Sequence, residues 1–167
     1  MRNISFFIHA LVIILIQIII LDNLNIHSYA YVNIYPLIIY ILPNKINNTI
    51  SLLLSFLIGL TIDISNNTLG IHIAASCAIC YIRPRLLSLT SKREQFSDMI
   101  GKQFYNDFSW FFKYILYSTL IFNIIFITLE AFSFQNIIIT FIRILFSTSI
   151  SILAIIIYYL SFLKHNR

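Results

Sequence analysis

Three charged side chains interrupt apolar runs of the sequence and are the residues best placed to do chemistry: Asp63, Glu130 and Arg143. A charged side chain left in lipid costs about 2.5–3.5 kcal/mol on insertion scales, so each needs a partner or a function. An ion pair of Arg143 with Asp63, or with Glu130, would remove an unpaired buried charge. We predict an intramembrane polar cluster of these three residues. In a topology with six crossings and both termini inside, all three lie in one half of the bilayer. They therefore do not form a continuous path for a proton or an ion.

Small and hydroxylated residues repeat every four positions beside two of these charges. They are Ser55 and Gly59 before Asp63, and Ser147 and Ser151 after Arg143. Residues four apart share one face of a helix, and small residues let two membrane helices approach closely. The spacing therefore predicts either internal helix packing or a face that receives a partner helix.

The turn after Asp63 combines a capping signal with a histidine. Residues 65–70 contain Ser, two Asn, Thr and Gly, a composition typical of turns. Thr68 is predicted to cap the next helix, with Gly70 in the turn before it. His72 then lies near the start of that helix, where a histidine bonded to the backbone is favoured over a metal ligand. No second His or Cys stands nearby at metal-binding spacing.

Cys77 and Cys80 form a C-x-x-C pair, which in a soluble α/β protein would indicate redox chemistry. Here the pair lies in a run of small residues within an apolar segment, which favours close packing of two reduced thiols. The sequence has no Gly-rich phosphate loop, no H-E-x-x-H and no G-x-S-x-G. We therefore expect no enzyme and no bound metal or cofactor.

The elements that position these residues follow from the composition. Of 167 residues, 59% are hydrophobic and only 10% are charged, and the mean hydropathy is +0.89. Soluble domains have about a quarter of their residues charged, so a water-soluble globule is excluded. A backbone exposed to lipid must satisfy its hydrogen bonds within its own segment, which requires helices, and residues 11–21 do not alternate as barrel strands do. The sequence predicts an all-α integral membrane protein.

Six apolar segments are predicted to form one polytopic membrane domain over residues 1–167. They cover residues 4–21, 29–42, 49–64, 69–83, 109–129 and 137–163. Segments 29–42 and 69–83 are short for a crossing and would be tilted or re-entrant helices. Six crossings with both termini inside place every Lys and Arg except Arg143 on or near the cytoplasmic side, as the positive-inside rule requires. A six-helix bundle with an N-in, C-in topology is therefore predicted.

The connection over residues 84–108 is the one long loop. Its apolar residues recur at intervals of three to four among charged ones. This pattern favours an amphipathic helix on the inner leaflet, with docking of a cytoplasmic partner as the alternative. The net charge of +5 is spread over cytoplasmic loops and termini, where it sets orientation and meets anionic lipid. Nucleic acid is not expected as a partner.

The stretch from Leu21 to Pro84 resembles the MreD family of rod-shape-determining proteins, in its Bacteroidetes-type form. The order of short motifs carries the resemblance. They are Leu21-Asp22-Asn23, Tyr35-Pro36-Leu37, Leu42-Pro43, Gly59-Leu60-Thr61-Ile62-Asp63, Leu69-Gly70-Ile71-His72 with Ala74-Ala75, and Arg83-Pro84. The resemblance covers about the first half of the chain. Glu130 and Arg143 lie outside it and are selected on the cost of burial alone.

The resemblance implies a non-enzymatic subunit of the cell-wall elongation machinery in the bacterial inner membrane, with a role in peptidoglycan synthesis and cell shape. The implied partners are MreC above all, MreB, RodA, a class B penicillin-binding transpeptidase and membrane lipid. The family is also similar in fold to the six-helix S-components of energy-coupling-factor transporters. This similarity makes a vitamin-binding transport subunit the first alternative. A small enzyme or flippase for a lipid-linked precursor is a separate alternative.

Overall fold

The computed structural model describes residues 2–23, 30–43, 46–90, 108–131 and 137–163, with side chains from residue 6 to residue 161. Every regular element in these ranges is helical. The elements are α1 (Arg2–Ile16, continued by a π-helical turn over Gln17–Leu21), α2 (Pro36–Tyr40), α3 (Asn48–Asn66), α4 (Ile71–Thr90), α5 (Phe108–Ala131) and α6 (Ile137–Tyr158, continued by a π-helical turn over Tyr159–Leu163).

Three helices are long and apolar enough to cross a membrane: Asn48–Asn66, Phe108–Ala131 and Ile137–Ser161. The apolar part of α1, Phe6–Leu21, is shorter. The predicted class, an α-helical membrane protein, is confirmed at this level. The count of six crossings and their orientation do not follow from these helices.

Residues 30–42 form the centre of the bundle, and we call them the central segment. Each is buried except Tyr31 and Ile41, which are partly buried. Helix α3 packs on α4, α4 on α5 and α5 on α6. Helix α1 completes the enclosure, because His9 lies 3.0 Å from the Tyr158 hydroxyl on α6 and Asn66 of α3 bonds to Asp22. The longer helices therefore surround the central segment.

The central segment differs from the helix predicted over 29–42, because only Pro36–Tyr40 are helical. Proline is favourable in the first turn of a helix. In a helix interior it lacks an N–H donor and its ring meets the carbonyl four residues earlier. Pro36 therefore starts a short helix instead of continuing one, and residues 30–34 before it have no regular structure.

Helix α4 also differs from its predicted range, 69–83. It begins at Ile71 and continues through Pro84 to Thr90. The first residues of the predicted amphipathic loop thus belong to this helix, and residues 91–107 lie outside the described part of the chain. Proline is tolerated within membrane helices when neighbouring groups satisfy the freed carbonyl.

The described charges separate along the bundle, so we name its two ends after Asp63 and Arg83. The described acidic residues, which are Asp22, Asp63 and Glu130, all lie at the Asp63 end. The basic residues of α4 and α5, which are Arg83, Arg85 and Lys113, lie toward the Arg83 end. Within the described ranges Arg143 is the exception, since it lies beside Glu130.

Candidate functional site

The backbone of the central segment is held by side chains from the surrounding helices. Gln17, fully buried at the end of α1, accepts hydrogen bonds from the amides of Ile34 at 2.9 Å and Tyr35 at 3.4 Å. Its side-chain amide donates to the carbonyl of Val32 at 3.0 Å. Non-helical backbone at membrane depth is tolerated only where protein groups satisfy it. Gln17 provides these hydrogen bonds from the α1 side of the central segment.

Two serines of α6 bond to the backbone of the central segment from the opposite side. The Tyr31 amide donates to Ser147 Oγ at 2.9 Å, and the Asn33 amide donates to Ser151 Oγ at 3.0 Å. The Ser151 hydroxyl in turn donates to the Tyr31 carbonyl at 3.4 Å. Both serines are fully buried. The four-residue spacing after Arg143 therefore places hydroxyl groups against irregular backbone of the same chain.

At the other end Arg83 holds the last turn of α2. Its Nε donates to the Tyr40 carbonyl at 3.4 Å and its guanidinium donates to the Leu42 carbonyl. The Tyr114 hydroxyl of α5 also donates to the Tyr40 carbonyl, at 3.1 Å. The last carbonyls of a helix lack partners within it and carry partial negative charge. A cation buried beside them is therefore stabilised, and it connects α4 to the end of α2.

Asp63 caps α4 from the end of α3. Its two carboxylate oxygens accept the amides of His72 at 3.2 Å and Ile73 at 2.8 Å. Thr68, predicted as the cap, donates its hydroxyl to Asp63 instead. A carboxylate at the first turn satisfies amides that have no partner in the helix and faces the positive end of its dipole.

Gly59 brings the backbones of α3 and α4 into contact. A Cβ at this position would lie 2.7 Å from Ile73 Cα and 2.9 Å from the His72 carbonyl oxygen. Ser55, one turn earlier, is fully buried and donates to the Ser51 carbonyl of its own helix at 2.8 Å. This face of α3 is therefore covered by the chain itself, and a partner helix has no access to it.

Of the three predicted charges, the structure pairs Arg143 with Glu130. Arg143 donates to the two carboxylate oxygens of Glu130 at 2.9 and 3.3 Å. Tyr31 contacts both residues, because its hydroxyl donates to Glu130 and its ring lies 5.2 Å from the guanidinium carbon of Arg143. Asp63 lies at the same end of the bundle, but its contacts are with backbone amides and Thr68.

A cavity of about 290 Å³ opens between the central segment and the surrounding helices at the Asp63 end. Polar side chains that line it include Asp22, Asn33, His72 and Glu130, and Phe126 is among its apolar walls. His72 is buried, and its Nδ1 lies 2.9 Å from the Tyr35 hydroxyl. The predicted bond from this histidine to backbone is thus replaced by a bond to tyrosine.

Sequence reasoning missed Gln17 and Asn33, although each interrupts an apolar segment. An amide buried without a partner costs several kcal/mol on apolar scales, so a lone Gln or Asn in such a run signals a hydrogen-bonding task. A search for lone amide side chains in apolar runs would have selected both residues. It could not have identified the groups to which they bond.

Cys77 and Cys80 are free thiols on α4, the first partly buried and the second buried. Within the described ranges no three His, Cys, Asp or Glu side chains are grouped so that they could hold a metal ion. Neither observation assigns a reaction to the site.

No protein-family model, no curated protein and no solved structure matches the chain.

Proposed function

We propose that this chain is a non-enzymatic scaffold in the bacterial inner membrane that binds a partner transmembrane helix, in the manner expected of the MreD family. The proposal draws on the resemblance over residues 21–84. In it, MreC is the first partner, and MreB, RodA and a class B transpeptidase complete the assembly. The role is to support rod shape by directing peptidoglycan synthesis.

The proposal is supported by the contacts that the side chains of the family-like motifs make. Asp63 caps α4, His72 bonds to Tyr35, and Arg83 holds the end of α2. These contacts tie α3, α4 and the central segment into one arrangement. Side chains engaged in this way favour a rigid binding platform over a catalyst, which needs a nucleophile or base directed at a substrate.

The partner surface is proposed on α6. Only 17% of the membrane-length apolar stretch of this helix is buried inside the structure, against 44% for α5. Its exposed face carries large apolar side chains, among them Phe141, Leu145 and Leu153. Transmembrane helices associate through such faces by close van der Waals packing.

Site-specific photo-crosslinking tests this surface. A photoreactive residue at Leu145 of α6 is expected to capture the single-span partner, whereas one at Leu53 of α3 is not. Leu53 is the matched control for Leu145, since both side chains are exposed, at 59% and 46%. Adducts of equal yield at both positions, or none at Leu145, would contradict a partner site on α6.

Purification from native membranes tests the function itself. The tagged chain is expected to bring down the wall-elongation proteins, and its depletion is expected to make cells round. A tagged polytopic membrane protein of unrelated function is the control. Capture of ATPase subunits in place of wall proteins would favour a vitamin-transport subunit. A precursor-processing activity lost on changing Asp63, Glu130 or Arg143 would favour an enzyme or flippase. Normal cell shape after depletion would reject the scaffold.

A further inference from the structure

The cavity at the Asp63 end has no task in the proposed scaffold. Its volume of about 290 Å³ is near the lower limit for small-molecule sites, which begin at roughly 300 Å³. Its walls combine apolar and aromatic side chains, such as Leu21, Ile71 and Phe126, with Asp22, Asn33 and His72. Concave sites that are mostly apolar and contain a few convergent polar groups are the usual form of ligand sites.

The charge around the cavity is negative. Asp22 and Glu130 line it, and Asp63 lies behind its wall, bonded to the amide of His72. Arg143 is the one described cation at this end, and it is paired with Glu130. Asp22 bonds only to neutral amides, since Gln17 donates at 2.6 Å and Asn66 at 3.0 Å. The field inside the cavity therefore favours a positively charged occupant.

Two deeply buried side chains line the cavity with polar atoms that lack partners among the described residues. His72 is 4% exposed and uses Nδ1 for the Tyr35 hydroxyl, which leaves Nε2 unbonded. Asn33 is 3% exposed and donates its amide to Asn123 at 3.5 Å, which leaves Oδ1 as a free acceptor. Both residues line the cavity, so these two atoms are open to hydrogen bonds with a ligand.

We propose that this cavity binds a small organic cation that carries N–H donors on an apolar or aromatic body. The N–H groups would bond to Asp22, to Asn33 Oδ1 and to His72 Nε2, whose ring then donates Nδ1–H to the Tyr35 hydroxyl. The body would pack against Phe126 and the ring of His72. The described residues hold no group of three His, Cys, Asp or Glu side chains that could bind a metal ion, so the apolar and aromatic walls favour an organic occupant. The inference is independent of the partner helix and of the proposed scaffold role.

Binding to the purified full-length chain in lipid nanodiscs tests the proposal without any partner. The probes are benzylammonium, phenethylammonium and benzamidinium, and benzyl alcohol and benzoate are the controls. Each cation has only about eight or nine non-hydrogen atoms, so we expect a dissociation constant on the order of 1 mM by ligand-efficiency limits. Ligand-detected NMR and a concentration-dependent rise in Tm are the readouts. The alcohol and the anion are expected to bind at least tenfold more weakly.

Two variants locate the site. Asp22→Asn removes the negative charge, and His72→Phe removes the free nitrogen but keeps a ring. Each is expected to weaken cation binding at least fivefold, whereas Ser149→Ala on the exposed face of α6 leaves it unchanged. Size-exclusion profiles identify any variant that fails to fold, and the other variant then decides. Absence of binding by all three cations, equal binding of benzyl alcohol, or unchanged affinity in every folded variant would overturn the proposal.

Discussion

At the residue scale, the charges of this membrane protein are matched to specific partners. Arg143 is paired with a carboxylate, Arg83 with helix-terminal carbonyls, and Asp63 with helix-terminal amides. The last two contacts do not need an opposite charge, because a helix end carries about half an elementary charge and unpaired hydrogen-bonding groups. A charge in an apolar run therefore indicates either an ion-pair partner or the end of another helix.

The pairing of Arg143 with Glu130 predicts the result of a charge exchange. Arg143→Glu places two carboxylates together and is expected to lower the free energy of unfolding by about 1–3 kcal/mol, between the values for exposed and buried pairs. Adding Glu130→Arg is expected to recover most of the loss. Thermal unfolding in detergent, followed by size-exclusion chromatography, measures both. As a control, Arg143→Asp combined with Asp63→Arg should give no recovery, and recovery there would contradict the pairing.

The capping role of Asp63 predicts graded effects of two substitutions. Asp63→Ala removes both acceptors of the first α4 amides and is expected to cost about 1–2 kcal/mol of stability. Asp63→Asn keeps one acceptor oxygen and the side-chain shape, so its loss should be smaller. Urea or thermal unfolding of the detergent-solubilised variants provides the comparison. Equal losses for the two variants would show that charge, and not hydrogen bonding to the helix end, is what Asp63 supplies.

At the element scale, many of the described buried polar side chains are bonded to the central segment. Residues before Pro36 cannot join α2, so their amides and carbonyls need partners from outside the segment. Gln17 of α1 and Ser147 and Ser151 of α6 provide those partners. The helices on both sides are thereby fixed relative to the central segment.

Removal of the α6 hydroxyls tests this dependence. Ser147→Ala leaves the partly buried Tyr31 amide unbonded, and Ser151→Ala leaves the buried Asn33 amide unbonded. Each is expected to lower the free energy of unfolding by about 1–3 kcal/mol. Ser149→Ala is the matched control, since Ser149 is exposed and bonds only to the Leu145 carbonyl of its own helix. Chemical or thermal unfolding in detergent ranks the three. A loss for Ser149→Ala as large as for the other two would contradict the assignment.

At the scale of the whole molecule, the described charges divide the bundle into an acidic end and a basic end. Such a division fits the positive-inside rule if the Arg83 end faces the cytoplasm. Composition alone marks three helices as membrane-length, and α4 is not one of them. The crossing of α4 is therefore one of the steps on which the proposed topology depends.

Thiol labelling of the two ends of α4 tests that crossing. Leu69 and Leu89 are exposed, at 100% and 81%, so cysteines there are accessible at each end. In a background with Cys77→Ala and Cys80→Ala, an impermeant maleimide added to spheroplasts is expected to label Leu69→Cys alone. Leu89→Cys should react only after the membrane is opened. Labelling of both positions from the outside would show that α4 does not cross.

The sequence by itself determined the class of protein, because 59% apolar and 10% charged residues leave no option except helices in lipid. It also selected Asp63, Glu130 and Arg143, since a charged residue within an apolar run can be recognised from the sequence alone. Tertiary structure decided the partners. Glu130, not Asp63, meets Arg143, and Asp63 meets the start of α4. The folding of residues 30–34 as irregular backbone, and the cavity beside them, likewise depend on groups distant in sequence. No local pattern encodes which of several matching groups comes within hydrogen-bond distance, because that is set by how the helices pack.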